Sequence, residues 1–351
     1  MDLETDTRRP GARSRIVDIA REAGVGTATV DRVLNGRKGV GASTAQRVLD
    51  VARRLKYPLA WKALEAPEPA ALSFDFLLPS GPHPFFKLVA EAIESVEERF
   101  PGFVATASRH DIESFNPTAL AEALKRVGAR SKGVALVALE HPQVREAVNA
   151  LVAGGVPVVT LISDLSNSLR LGYVGIDNRA AGRTAGHLLG RFIGPGPAEV
   201  AMIAGSLSYR GHEEREMGFR AILREEFRNL VVVGLREGHD DDRESYVAAR
   251  ELLREHPELR GVYNIGAGAG GIAAAIEEAG RANEITFVCH ELNAETRRFL
   301  VSGVVDAIIH QNARREVVMG LRMLANFRCG DDPRANIAPP HIEIFVRENL
   351  P

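Results

Sequence analysis

Residues 24–40, GVGTATVDRVLNGRKGV, decide how this chain is read. Thr27 opens a helical pattern in which Val30, Val33 and Leu34 share one face, and Asn35-Gly36 ends it with turn chemistry. A shorter pattern precedes it, Arg15–Glu22, with Ser14 as its cap and Ile16, Ile19 and Ala20 on one side. Ala23-Gly24-Val25-Gly26 turns the chain between the two. A third helix is expected from about Thr44 to Lys56. Ser43-Thr44-Ala45-Gln46 has capping-box form with Ser43 as cap, and Val48, Leu49, Ala52 and Leu55 make the buried stripe. Helix, tight turn, helix is a layout that lets the second helix enter a DNA major groove. With Val30, Val33 and Leu34 turned inward, Thr27, Ala28, Asp31, Arg32 and Asn35 lie on or near the outer face. Thr and Ala methyls suit a thymine methyl, Arg suits guanine, and Asn35 can reach a phosphate. Asp31 is the odd member, because a carboxylate repels phosphate. It is left to accept from a cytosine amino group, to orient an arginine of the head, or to act as a tolerated cost against wrong sites. On these residues alone, a protein-binding or purely stabilising bundle stays open.

At 351 residues the chain exceeds one ordinary core and implies two or three domains. No apolar run approaches the roughly 20 residues that span a bilayer. The opening MDLETDTRRPGARSR is polar, has no apolar signal core, and is expected to be a disordered leader over 1–13. Cys289 and Cys329 are the two cysteines and form no paired motif, which argues against a disulfide framework or structural zinc and for a reducing cytoplasm. Charge is unevenly spread. Residues 13–62 hold 11 Lys/Arg and 4 Asp/Glu, a net of +7, and the remaining residues carry −9. A basic head on an acidic body points to a polyanion as the head's partner.

Residues 65–71, EAPEPAA, read as an extended linker. The expected organisation is therefore a head over 14–57, a hinge over 58–71 and a body over 72–351. In the body, strand-like runs alternate with helical patterns. Runs such as Leu72–Leu78, Gly133–Leu139, Val156–Leu161, Glu199–Ala204 and Ile285–Cys289 alternate with patterns such as Pro84–Arg99, Arg179–Phe192 and Ser245–His256. That alternation argues for parallel sheets covered on both faces, and the length argues for two lobes.

The head closely resembles that of the lac repressor family of bacterial transcription regulators. The resemblance covers residues 15–56, through VDIAREAGV, ATV-RVLNG, the V-x-x-x-T-x-x-RV opening of the third helix and the Tyr near its end. It implies base contacts from Thr27, Ala28 and Arg32, and backbone positioning by Thr29 and Asn35. Gly26 and Asp31 depart from the family's serines. After Tyr57 the text is YPLAWKALEAP. There the resemblance gives Lys62 and Leu64 the basic and minor-groove wedge roles, with Trp61 as the alternative.

The body is similar, through the same family, to periplasmic sugar-binding proteins. The pieces are strand 74–79 followed by HPFF (83–86), VPVV (156–159), YVGIDNRAAGRTAGHLL (173–189), REMGF (215–219), FVCHEL (287–292) and AIIHQN (307–312). The implied fold is two doubly wound lobes with a ligand between them near the strand ends. Phe85 and Phe86 would stack on the ligand and Arg215 would reach it from the second lobe. Glu291 stands where relatives place an aspartate, and Gln311 where they place a glutamine. Asp164 and Asn264 lie near the right strand ends, and His290 replaces an apolar or aromatic residue. The glycine run NIGAGAGG (264–271) reads either as a close backbone approach to ligand or as a phosphate cradle. Asp240-Asp241-Asp242 reads as a solvated loop, and His212 and His239 fit no catalytic arrangement. The expectation is a homodimeric, cytoplasmic, ligand-responsive repressor without cofactor, metal or catalysis. Its partners are a pseudo-palindromic double-stranded DNA operator and a sugar or polyol. The rival reading is a nucleotide- or sugar-phosphate-binding enzyme built on the glycine run.

Overall fold

The computed structural model describes residues 16–35, 37, 39–55, 57, 70–81, 83–100 and 103–351. The chain divides into two compact units, residues 1–70 and 71–351. Among the described residues no helix is long and apolar enough to cross a membrane.

The first unit holds α1 (Ile16–Ala23), α2 (Thr27–Leu34) and α3 (Ala42–Arg54). Ile19, Ala20, Ala23, Val30, Val33, Leu34, Val48, Val51 and Ala52 form its core, closed over by Leu49, Leu55 and Tyr57. The turn between α1 and α2 uses Gly24 at φ +65°, a conformation that costs a glycine little. α3 begins ahead of the cap position expected at residue 43. The helix already includes residue 43, Ala45 N–H donates to Gly41 C=O, and Gln46 turns forward to Asp50 at 3.1 Å. Ser14, Trp61, Lys62 and Leu64, with the leader and most of the hinge, lie outside the described residues.

The second unit has two lobes. The first contains β1 (Ala70–Pro79), α4 (Pro84–Ser95), β2 (Glu97–Phe100), β3 (Phe103–Ile112), α5 (Pro117–Gly128), β4 (Val134–Leu136), α6 (Pro142–Ala153), β5 (Val158–Leu161) and β6 (Gly172–Val174). The second contains α7 (Asn178–Ile193), β7 (Ala198–Ala204), α8 (Arg210–Glu226), β8 (Leu230–Glu237), α9 (Asp242–Glu255) and β9 (Leu259–Asn264), then α10 (Ala269–Glu278), β10 (Thr286–His290), α11 (Ala294–Ser302) and β11 (Ala307–His310). α12 (Ala313–Cys329) returns to pack in the first lobe's core, and β12 (Glu343–Phe345) rejoins the second sheet. The chain thus crosses between lobes three times, after Val174, after Ile309 and after Ile337.

Each sheet has six strands, in the orders β2-β3-β1-β4-β5-β6 and β12-β11-β10-β9-β7-β8. The central strands pair in parallel, and β4 and β5 are buried along their whole length, as sheets covered on both faces require. Antiparallel strands sit at one edge of each sheet, β2 on β3 and β12 on β11. The helix expected over 84–99 stops at Ser95. Val96 is extended, and Glu97–Phe100 pair with Phe103–Thr106 instead. EERF fits either period, and pairing with β3 decides it.

Candidate functional site

The lobes face each other across a cleft of about 450 Å³ at the carboxyl ends of their parallel strands. Its walls come from segments distant in sequence. His83 caps α4, its Nδ1 accepting the Phe85 N–H at 3.2 Å, and that cap places Phe85 and Phe86 in the wall. Phe85 is buried and Phe86 half-buried. Tyr209, His212 and Arg215 recur at three-residue spacing on and just before the first turns of α8, so they face the cleft together. β10 ends in His290 and Glu291, and β11 is followed by Gln311.

Arg215 is held from behind. Its Nε donates to Asn178 Oδ1 and its Nη1 to Ile265 C=O, both at 2.8 Å. Nη2 has no hydrogen-bond partner among the described residues. Asn178 also reaches the Ile162 carbonyl and the Tyr173 hydroxyl, linking the arginine to the first lobe. Gln311 Nε2 donates to Glu291 Oε1 at 2.7 Å. Gln311 Oε1 and Glu291 Oε2 are left buried without a hydrogen bond, although His310 Nδ1 lies 3.2 Å from the latter. His290 meets the Tyr263 hydroxyl at 2.8 Å through Nε2, and its Nδ1 is unpartnered. Three non-glycine residues of the cleft adopt positive φ: Ile162 at 65°, Asp240 at 58° and Glu291 at 66°. Such strain, rare above all for a branched residue, concentrates at ligand clamps.

Burial keeps the histidines neutral. It lowers the pKa of His83 and pushes His290 well below the usual range, with Arg215 adding to the second effect. Burial also lowers His212 to about 4, against the opposing pull of Asp240. Glu316, one turn into α12, is 1% exposed with both oxygens unpartnered. Burial first, and Glu291 second, hold its carboxyl well above the ordinary carboxylate range.

Of the residues singled out from the sequence, Phe85, Phe86, Arg215, His290, Glu291 and Gln311 come together in this cleft. Asp164 does not. Thr160, the Leu165 N–H and Arg170 take its carboxylate, turning it into a local clasp. Asn264 is also outside. It is wholly buried at the end of β9 and donates to Ala267 C=O at 3.0 Å. The reading of Asp240 as a solvated loop residue is corrected. Its side chain is 7% exposed, accepts the Ala267 N–H at 2.8 Å, and lies 3.8 Å from His83. Asp241 caps α9 and Asp242 accepts the Gly271 N–H at 3.2 Å. His212, which fitted no arrangement in the sequence, lines the cleft. His83, Ser163 and Tyr209 went unnoticed. The three-residue spacing of 209, 212 and 215 is the signal that could have found two of these residues.

The glycine run is a packing device. A Cβ at Gly271 would meet the Asp242 carbonyl oxygen at 1.8 Å, one at Gly268 the Ser245 hydroxyl at 2.0 Å, and one at Gly270 the Glu295 carboxylate at 2.5 Å. These glycines let α10 lie against α9, and carboxylates stand where a phosphate would have to sit.

In the first unit, Thr27, Ala28, Arg32 and Asn35 are exposed on α2, and Thr29 and Asp31 are partly so. Asp31 is engaged: Asn35 Nδ2 donates to its Oδ1 at 2.8 Å, and Arg37 Nη1 lies 3.6 Å from its Oδ2.

Residues 15–58 match the family model of bacterial regulatory proteins, lacI family, and residues 74–332 that of the periplasmic binding protein domain. The chain carries a periplasmic binding protein domain, preceded by a head that matches the lacI family of regulatory proteins. It is similar to the ribose operon repressor of Halalkalibacterium halodurans, at 29% identity over 71% of this chain and 70% of that protein. It is also similar to the HTH-type transcriptional repressor PurR of Edwardsiella ictaluri, at 27% identity over 95% of this chain and 96% of that protein. Among solved structures, it shares its fold with GanP, a glucose-galactose binding protein from Geobacillus stearothermophilus. That match has a TM-score of 0.70 and 23% identity, and covers 80% of this chain and 99% of that one.

Proposed function

We propose that this lacI-family chain is a transcriptional repressor whose operator affinity is set by a small polyhydroxylated effector bound in the interlobe cleft. The observation that carries the effector site is the buried Glu291–Gln311 pair. Its two residues, each with one unpartnered oxygen, line the same cleft as Arg215 and Phe86. Alternating acceptors and donors against an aromatic wall suit neighbouring hydroxyls on a compact ring. The ribose operon repressor among the relatives supports the same class. DNA is read by α2, with Thr27, Ala28 and Arg32 at bases and Thr29 and Asn35 at the backbone. Asp31 sets the poise of Asn35 and Arg37 and does not itself meet DNA. Lys62 and Leu64 continue the contact into the minor groove. The protein acts as a homodimer on a pseudo-palindromic operator, works in the cytoplasm and catalyses nothing.

The test pairs two measurements on the full chain. Operator binding is titrated against salt, with and without each of a panel of pentoses, hexoses and polyols. Arg32→Ala is expected to weaken specific binding by roughly 1–3 kcal/mol with the helical signal intact. A polyol that shifts operator affinity in the wild type and not in Glu291→Ala establishes the cleft as the effector site. Operator affinity indifferent to every polyol overturns the proposal.

A further inference from the structure

We propose that the effector carries a positive charge, as an ammonium group on its hydroxylated frame, and that Glu291 and Asp240 receive it. The inference rests on the effector reading above and narrows it. Two carboxylates, Glu291 and Asp240, face one guanidinium in the cleft, and that guanidinium is already committed on two of its three nitrogens. The buried polar atoms left without partners on the Glu291–Gln311 pair are both acceptors, because Gln311 has spent an N–H on Glu291. Glu291 is 7% exposed and Gln311 2%, so water is a poor substitute for a ligand donor there. His310 Nδ1 lies 3.2 Å from Glu291 Oε2 and equally 3.2 Å from the Leu292 N–H. The histidines lining the cleft are neutral, as described, and cancel none of this charge.

A second chamber of about 710 Å³ opens beside the first and shares Glu291 and Asp240 with it. Its lining adds Asp241, Asp242 and Glu295, and contains no lysine or arginine among the described residues. Glu295 already feels the crowding, since burial and the neighbouring Asp242 raise its pKa. A cleft lined by one sign of charge concentrates the opposite sign and rejects its own. An ammonium offers three donors to the unpartnered oxygens of the Glu291–Gln311 pair, and its hydrogen bonds to carboxylates are stronger than those of a hydroxyl. Sugar acids and sugar phosphates meet the reverse.

Matched probes test this on the full chain by calorimetry and thermal shift in amine-free buffer. They are D-glucosamine, D-galactosamine and D-mannosamine, each beside its parent hexose, with D-glucuronate and glucose 6-phosphate as anions. Tris beside pentaerythritol tests the charge on an unrelated frame. At least one amino sugar is expected to bind about tenfold or more tighter than its parent, an advantage expected of one charged hydrogen bond. The anions are expected not to bind. Glu291→Gln should bring that ratio close to one. Asp240→Asn, which tolerates positive φ, should lower it with the fold unaltered by circular dichroism. A parent hexose that binds as tightly as its amine, or an anion that binds best, overturns the positive charge and leaves the polyol reading standing. Binding by none of the sugars, charged or neutral, overturns both.

Discussion

Glu316 is a carboxyl group that folding forces to hold its proton. Neither oxygen has a partner, and Glu291 opposes its ionisation. The unfolded chain ionises it near the ordinary value of 4.5, so the native state binds the extra proton above that pH. Stability therefore falls as pH climbs from about 4.5 toward the raised native value. Glu316→Met keeps the volume and removes the acid. It is expected to raise the melting temperature, by an increment larger at pH 8 than at pH 5. A gain of about 1–3 kcal/mol is the size expected for relieving one unsatisfied buried polar group. An equal gain at both pH values would show that ionisation is not the cost. Asp31 presents the opposite case, an acid fully occupied at the surface. Its contacts to Asn35 and Arg37 make it an organiser of neighbouring donors. Asp31→Ser should raise affinity for random DNA by removing repulsion, and lower the ratio of operator to random binding at one fixed salt concentration. A ratio that holds or rises assigns the carboxylate no part in specificity.

The helix pair α7 and α8 sets how accurately Arg215 is aimed. A Cβ on Gly182 would sit 1.9 Å from the Arg215 carbonyl oxygen, and one on Gly218 2.0 Å from that of Arg179, so the two backbones touch. Gly182→Ala must push α8 outward at the turn that carries the arginine. It should destabilise the body by about 1–3 kcal/mol, as overpacking does. It should also weaken effector binding more than a loss of stability alone would, read as affinity well below the melting temperature. Wild-type affinity in this variant would disconnect helix spacing from the site. The alternation of strands and helices was legible because apolar runs bounded by turn residues carry their own period. Arg215, Glu291 and Gln311 were legible through the resemblance alone, because REMGF, FVCHEL and AIIHQN match the family's pieces. Asp240 and Ile162 were not, since a positive φ turns them into the cleft and no local pattern announces it. Asp164 misled because the partner that claims it, Arg170, lies six residues on, in a loop without period. β2 was swallowed by the preceding helix because Glu97 and Phe100 suit both repeats until β3 is placed beside them.

At the scale of the whole chain, two compact units carry two tasks. Among the described residues the head has a core of nine buried apolar residues, whereas each lobe of the body has a far larger one. Heating should therefore melt the head separately from, and below, the body. An effector at 100 times its dissociation constant should add roughly 2.7 kcal/mol to the body's transition, and operator DNA should raise the head's. A single transition shifted equally by both would mean that the units unfold as one. Reciprocity adds that an effector which loosens DNA is itself held less tightly by the DNA-bound protein.

The three crossings between lobes give the gene a grain. The head is one contiguous segment and can be exchanged between relatives by a single recombination event, carrying operator choice with it. Neither lobe is contiguous: the first needs residues on both sides of the second, and β12 returns after α12 to complete the second sheet. Half of the cleft therefore cannot be inherited by itself. A crossover inside the body mixes strands of unlike parents within one sheet, so effector choice must drift by point substitution, whereas operator choice can be swapped whole.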